Sequence, residues 1–262
     1  MALKALDIYK LLPKKNCKEC GEPTCLTFAM KLAAGKADIE KCPYLDEEAR
    51  RILGASTKPP IQLVKIGVGE RSFAVGEEFV QFRHEKTFNH QPGILVAVSD
   101  LWPDDRIQDV VREVRDGLLV RIGTDLRLDG IAIRCESGSA EEFSRAVAAV
   151  EAKADLPEVL MAGDPGVMEA GLSVCGAFRP LIYAATHENY QGMCALAGKF
   201  GCPLTIRAES LESLAELSAL AAKEGAPALL IDPSATMLSD YINRATAIRQ
   251  NAVSRTVPDL SL

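Results

Sequence analysis

With 262 residues, 48% hydrophobic side chains and a single tryptophan, Trp102, the chain is long enough to bury a full core and to hold one large domain beside a small one. Its formal net charge of −6, with no aromatic residues interleaved along a basic stripe, excludes nucleic acid as an expected partner. No stretch reaches the apolar length that spans a bilayer, and Met1-Ala2-Leu3-Lys4 opens no long apolar run, so the expectation is a cytoplasmic protein with reduced thiols rather than disulfides.

A short helix is expected over Lys4–Leu12, stopped by Pro13. Four cysteines follow with the spacing Cys17-x-x-Cys20-x4-Cys25-x16-Cys42. Three thiols within nine residues cannot all hide as small core hydrophobes, and the short loops Lys18-Glu19 and Gly21-Glu22-Pro23-Thr24 bend their sulfurs toward one point. A metal centre belongs there. Leu26, Ala29, Met30 and Ala33 fall on one face of a helix over Cys25–Ala34, with Gly35 placed to end it, and Cys42 returns as the fourth ligand before Pro43. A 4Fe-4S cluster on Cys17, Cys20, Cys25 and Cys42 is the leading expectation, with Gly21 giving the loop close approach to it. A structural zinc is the main competitor, although such sites usually come as two similar Cys-x-x-Cys pairs; a disulfide or inert role stands behind it.

Charge is unevenly shared. Residues 1–45 sum to +3 and the remainder to −9, so Lys10, Lys14, Lys15 and Lys18 crowd beside the cysteine loop. They form either a solvated face or a docking surface for an acidic electron donor or partner subunit.

A charged helix over Asp46–Gly54 leads into the linker-like Ala55-Ser56-Thr57-Lys58-Pro59-Pro60, which divides the chain into residues 1–58 and 59–262. Ile61–Ile66, Ser72–Val75 and Phe79–Arg83 read as small antiparallel strands punctuated by Gly67, Gly69 and Gly76. From Gly93 onward strands and helices alternate: Ile94–Ser99 with Asp104–Arg115, Ile131–Cys135 with Ala140–Lys153, Val159–Ala162 with Gly166–Cys175, Leu181–Ala185 with Tyr190–Phe200, Leu204–Arg207 with Leu211–Lys223, and Ala228–Ile231 with Met237–Gln250. Six apolar strands each followed by a helix imply an α/β fold with a parallel sheet and helices outside. No Gly-x-Gly-x-x-Gly opens the first helix, so the expectation is an incomplete TIM-like barrel of about six βα units, two short of closure.

Asp100, Glu136, Asp164, His187, Glu188, Asn189, Glu209 and Asp232 lie near strand C-termini, where barrel sites are built; Asp164 and Asn189 also read as helix N-caps. His84 and His90 flank the Glu85-Lys86-Thr87-Phe88 run, where a structural role at the barrel entrance is expected. Cys135, Cys175, Cys194 and Cys202 show no compact spacing and read as buried thiols.

The run Tyr9-Lys10-Leu11-Leu12-Pro13-Lys14-Lys15-Asn16-Cys17-Lys18-Glu19-Cys20-Gly21, the later Phe82-Arg83-His84-Glu85-Lys86-Thr87-Phe88 with His90-Gln91-Pro92, and Pro180-Leu181-Ile182-Tyr183-Ala184-Ala185-Thr186 together resemble the large (gamma) subunit of the corrinoid iron–sulfur protein of the acetyl-CoA decarbonylase/synthase system. The resemblance runs in order over nearly the whole chain. It implies an N-terminal 4Fe-4S domain, a TIM-like barrel and a C-terminal corrinoid-binding domain. This sequence has no counterpart of the last, as a fragment or a shorter relative would lack, so no cobalt ligand is assigned here. The implied activity is that of a methyl carrier: a Co(I) corrinoid (cobamide) takes methyl from a methyl-pterin and hands it to acetyl-CoA synthase. When cobalt is oxidised to Co(II), the cluster on Cys17, Cys20, Cys25 and Cys42 returns the electron. Implied partners are the small (delta) barrel subunit, a methyl-pterin methyltransferase, acetyl-CoA synthase and a low-potential electron donor. A stand-alone iron–sulfur carrier or scaffold, and a pterin-dependent methyltransferase using the barrel mouth, are the alternatives.

Overall fold

The computed structural model describes residues 5–33, 37–50, 53 and 59–254. Helices α1 (Ala5–Leu11) and α2 (Cys25–Ala33) precede a hairpin of β1 (Val64–Val68) and β2 (Arg71–Val75). Then come β3 (Leu95–Ser99), α3 (Asp104–Asp116), a second hairpin of β4 (Leu119–Arg121) and β5 (Thr124–Leu126), β6 (Gly130–Arg134), α4 (Ala140–Glu151), β7 (Glu158–Met161), α5 (Pro165–Cys175), β8 (Leu181–Ala185), α6 (Tyr190–Phe200), β9 (Leu204–Arg207), α7 (Leu211–Lys223), β10 (Leu229–Asp232) and α8 (Leu238–Ser254). Helix starts are set by local chemistry: Ser139 accepts from Glu142 N, Asp164 from Val167 N ahead of Pro165, and Ser210 from Ser213 N.

The six-stranded sheet runs β3-β6-β7-β8-β9-β10, every pair parallel. Spatial order follows chain order without reversal, so each right-handed crossover places its helix on the same side, the winding of a TIM-like barrel rather than of a doubly wound sheet. Ile131, Ile133, Leu160, Ile182, Leu204 and Ile206 face the helices and pack with Phe143, Val147, Met168 and Leu172. The other face carries Ala132, Val159 and Leu181, which join Val64 and Ile66 of the first hairpin in a separate cluster. Buried on both faces, these strands read as continuous apolar runs.

The first hairpin is latched to the barrel floor. Gly67 donates its N–H to Arg179 O at 3.0 Å, and at φ +92 a Cβ on it would lie 1.9 Å from Arg71 O, so only glycine fits this turn. Arg71 forks onto Glu151 (3.0 and 3.1 Å), donates to Glu158 at 3.1 Å and to Leu156 O at 3.2 Å. Glu158 is 3% exposed and its Oε2 has no hydrogen-bond partner. Burial, then the Glu151 charge, push its carboxyl up to about 8 against the pull of Arg71.

The six expected βα units are present with ends close to those read from sequence. Phe79–Arg83 is not a strand: Glu85 accepts from the N–H groups of Gln81 (3.0 Å) and Phe82 (2.9 Å) and folds the segment into a turn, leaving an isolated Ile61–Glu78 bridge. Gly35, Gly54 and residues 55–58 of the linker lie outside the described residues. Among the described residues no helix is long and apolar enough to cross a membrane.

Candidate metal centre

The cysteine loop is wound by residues in left-handed conformations: Lys14 (φ 55), Asn16 (φ 47), Lys18 (φ 66) and Gly21 (φ 82). Left-handed residues interleaved in a loop turn amide N–H groups to one side and make the concavities that bind anions and iron–sulfur clusters. A Cβ on Gly21 would meet no protein atom, so its glycine answers to the positive φ and not to close protein packing. Gly21 N closes the turn onto Lys18 O at 2.9 Å.

Cys25 opens α2, where the helix leaves N–H groups without intrahelical partners. Asn16 Oδ1 accepts from Cys25 N at 2.8 Å, tying the residue before the first thiol to the third, and Thr24 Oγ1 accepts from Thr27 N at 3.1 Å. Cys42 follows a 3-10 turn, Ile39–Lys41, capped by Asp38, and returns its N–H to Ile39 O at 3.2 Å. Tyr44 clamps this return to the loop: its OH donates to Glu19 Oε1 at 2.8 Å and Lys15 Nζ sits 3.9 Å from its ring centroid. Sequence reasoning missed Asn16 and Tyr44, although both flank cysteines.

The four thiols converge from one dry and one wet side. Cys25 and Cys42 are buried, in the same apolar cluster as Ile8, Leu12, Phe28 and Leu32, while Cys20 is half-buried and Cys17 exposed. The Cys42 thiol is pushed up by burial first, with the Tyr44 N–H opposing and Cys20, Cys17 and Cys25 each adding to the rise. All three sense it electrostatically; four thiolates packed this way repel unless a cation balances them.

The basic residues are only partly free. Lys10 pairs with Asp7 at 2.8 Å, Lys31 with Glu22 at 2.6 Å, and Lys14 lies 5.6 Å from the Tyr9 ring centroid.

At the barrel's C-terminal mouth three of the sequence-predicted acids, Asp100, Glu136 and Asp232, fall into two hydrogen-bonded groups. Buried Asp100 accepts from Glu136 N (2.9 Å) and from Ser137 N (3.1 Å) and Oγ (2.5 Å); burial works to raise its carboxyl, but these bonds outweigh it and hold it low. Glu136 accepts from Ser99 Oγ at 2.5 Å and Arg134 at 3.2 Å. Asp232 accepts from the Tyr183 hydroxyl, from Ser234 N at 2.9 Å, and lies 3.5 Å from Arg207; burial and Asp232 push the Tyr183 hydroxyl up to about 12. Ser99, Arg134, Tyr183 and Arg207 were not foreseen, yet strand alternation puts them on the face shared by Ala132 and Leu181. Asp164 is the N-cap expected of it. Asn189 occupies the N-cap position without a capping bond; its side chain instead joins Thr186 N (2.7 Å) to Gly163 O (2.7 Å). His187 contacts Ser213 O at 3.2 Å, and Glu188 and Glu209 stand outside both groups.

His84 stacks on Phe82 with centroids 5.5 Å apart, and His90 pairs with Glu77 at 3.1 Å; they address different neighbours. Cys175, Cys194 and Cys202 are buried as expected, but Cys135 is only half-buried, because its strand ends at the mouth.

Two family models match separate stretches of the chain. Residues 63–262 match the family model of the CO dehydrogenase/acetyl-CoA synthase delta subunit, and residues 12–44, which hold all four cysteines, match an Fe-S cluster family model. The chain is 42% identical over 255 residues to the corrinoid/iron-sulfur protein large subunit of Moorella thermoacetica, covering 97% of this chain and 57% of that one. It is 41% identical over 232 residues to the acetyl-CoA decarbonylase/synthase complex subunit gamma of Methanopyrus kandleri, covering 88% and 50%, and 33% identical over 257 residues to that of Methanothermobacter thermautotrophicus, covering 97% and 56%. The chain thus spans about half the length of the curated relatives it matches.

Proposed function

Because this chain belongs to the CO dehydrogenase/acetyl-CoA synthase delta subunit family and carries the four-cysteine segment of its gamma-subunit relatives, we propose that it is the iron–sulfur and barrel part of a cytoplasmic corrinoid methyl carrier in acetyl-CoA metabolism. Residues 1–58 are the cluster domain and 59–262 the barrel domain. Cys17, Cys20, Cys25 and Cys42 hold a 4Fe-4S cluster, which supplies one-electron transfer at low potential. The gathering of four thiols within the segment that matches an Fe-S cluster family model supports this reading.

Each residue has a part in that task. Buried Cys25 and Cys42 keep water from one side, and exposed Cys17 with half-buried Cys20 leaves the other side open to electron entry and exit. Lys14, Lys15 and Lys18, exposed beside Cys17, favour an acidic, low-potential donor there. Bound by these four thiolates, the cluster would supply the single electron that a Co(II) cobamide needs to regain Co(I). The chain's partners in that task are a delta barrel subunit, a methyl-pterin methyltransferase and acetyl-CoA synthase.

The test is electron delivery. Anaerobic protein reduced by a low-potential donor and mixed with a Co(II) cobamide should generate the Co(I) absorption band. Cys20→Ser protein should leave the cobamide as Co(II). Equal Co(I) yields from both would overturn the proposal.

A further inference from the structure

One side chain beside the thiols ends on the backbone of a candidate ligand. Asn16 Oδ1 accepts from Cys25 N at 2.8 Å, across nine residues of the loop, while the Asn16 backbone is held at φ 47. Positive φ is uncommon for residues other than glycine, and asparagine and aspartate are among the few that tolerate it. From that position the side chain reaches the N–H of a residue whose own thiol is buried.

The bond falls where α2 begins. The first N–H groups of a helix have no intrahelical acceptor and gather positive potential at its N-terminal end. Thr24 supplies a local cap: Thr24 O accepts from Phe28 N at 3.1 Å and Thr24 Oγ1 from Thr27 N at 3.1 Å. Cys25 N lies outside that cap, and Asn16 takes it from outside the helix. Because Asn16 adjoins Cys17, the N–H it occupies is one turned toward the thiol loop. Cys42 is treated the other way, since the Tyr44 N–H bonds to its sulfur.

The difference matters for an iron–sulfur centre, which four thiols in a loop of left-handed turns fit. Reduction adds one negative charge to such a centre, and each N–H aimed at its sulfurs stabilises that charge and raises the potential. A carbonyl oxygen seated on the N–H works in the opposite sense twice over: it removes the donor, and its own negative end opposes the added charge. Resting on the reading of Cys17, Cys20, Cys25 and Cys42 as cluster ligands, we infer that Asn16 is a positioning residue for reduction, occupying the Cys25 N–H so that the cluster's potential stays low. In the step itself a low-potential donor loses one electron and the cluster gains it; no bond forms or breaks and no proton moves.

The experiment uses the full chain with its cluster assembled anaerobically, as wild type, Asn16→Gly, Asn16→Ala and Asn16→Asp. Glycine is at ease at positive φ, so Asn16→Gly deletes the acceptor without straining the loop; Asn16→Asp keeps the acceptor on a tolerated backbone. Iron and sulfide are counted, and the midpoint potential is read from a mediated redox titration followed by electron paramagnetic resonance of the reduced cluster. Asn16→Gly should keep its iron and shift the midpoint upward. At the wild-type midpoint its reduced-to-oxidised ratio should rise at least about threefold, which is about 28 mV for one electron. Asn16→Ala should shift in the same direction, and Asn16→Asp should stay at or below wild type. A deletion variant that keeps its iron and titrates at the wild-type midpoint overturns the proposal, as does an upward shift in Asn16→Asp equal to that of Asn16→Gly. Loss of iron in both deletion variants makes Asn16 a structural part of the loop and overturns it too. A wild-type chain that holds no iron overturns the cluster reading itself, and this inference with it.

Discussion

The cysteine segment and the barrel are held together by different means. The barrel portion packs a continuous core around Phe143, Ile133, Leu160 and Met168, with Cys175, Cys194 and Cys202 among its buried residues. The cysteine segment has a core of Ile8, Leu12, Phe28, Leu32, Leu45 and Leu53, into which two of the four candidate ligands are themselves packed. A unit of that size buries too little surface to stand alone and depends on a staple. On the proposed reading, one chain joins a unit stabilised by burial to a unit stabilised by ligation, and a perturbation of either should leave the other largely intact.

The largest separation should come from removing the staple. Cys20→Ser, or chelation of iron, should abolish hydrogen-exchange protection across residues 5–33, because metal binding energy is folding energy in such units. The barrel's Tm should move by no more than about 2 °C. Collapse of both units in one transition would end the comparison.

The reverse perturbation falls on the barrel floor. Arg71→Ala strands the buried Glu158 and the half-buried Glu151 and should destabilise the barrel by about 3 kcal/mol in denaturant unfolding, with iron content unchanged. An effect below about 1 kcal/mol would show that the latch is ornamental.

A pH series sharpens the same contrast. Glu158, raised from an ordinary 4.5 to about 8, binds more protons folded than unfolded, so barrel stability should be greatest below about pH 4.5 with respect to this group. It should fall as pH rises through that window, by at most about 1.4 kcal/mol per pH unit. Glu158→Gln should flatten that slope. An unchanged slope would place the pH dependence elsewhere.

The smallest effect is expected at the clamp between the two cysteine-bearing stretches. Tyr44→Phe loses the hydrogen bond to Glu19 but keeps the ring under Lys15, and should cost about 1 kcal/mol, read as modestly faster iron release to a chelator. Unaltered release would show that the clamp does not restrain Cys42.

The barrel was legible because its strands are buried on both faces and its helices carry clear caps: Ile131–Ile133 reads as a parallel strand, and Asp164 before Pro165 reads as a helix start. The cysteine spacing exposed the candidate ligands equally directly. Arg71 with Glu158 was not legible, since a salt bridge across 87 residues leaves no periodic trace. Phe79–Arg83 misled because its alternation is that of a strand while Glu85 supplies a turn from outside the pattern. Leu118–Leu128 was passed over because its apolar residues, though strand-like, face solvent.

A four-iron cluster on Cys17, Cys20, Cys25 and Cys42 is open to direct measurement. Iron, zinc and acid-labile sulfide should be quantified in anaerobically prepared chain alongside Cys20→Ser. About four iron and four sulfide per wild-type chain, lost in the variant, is the predicted result. Stoichiometric zinc without iron or sulfide in the wild-type protein would contradict it.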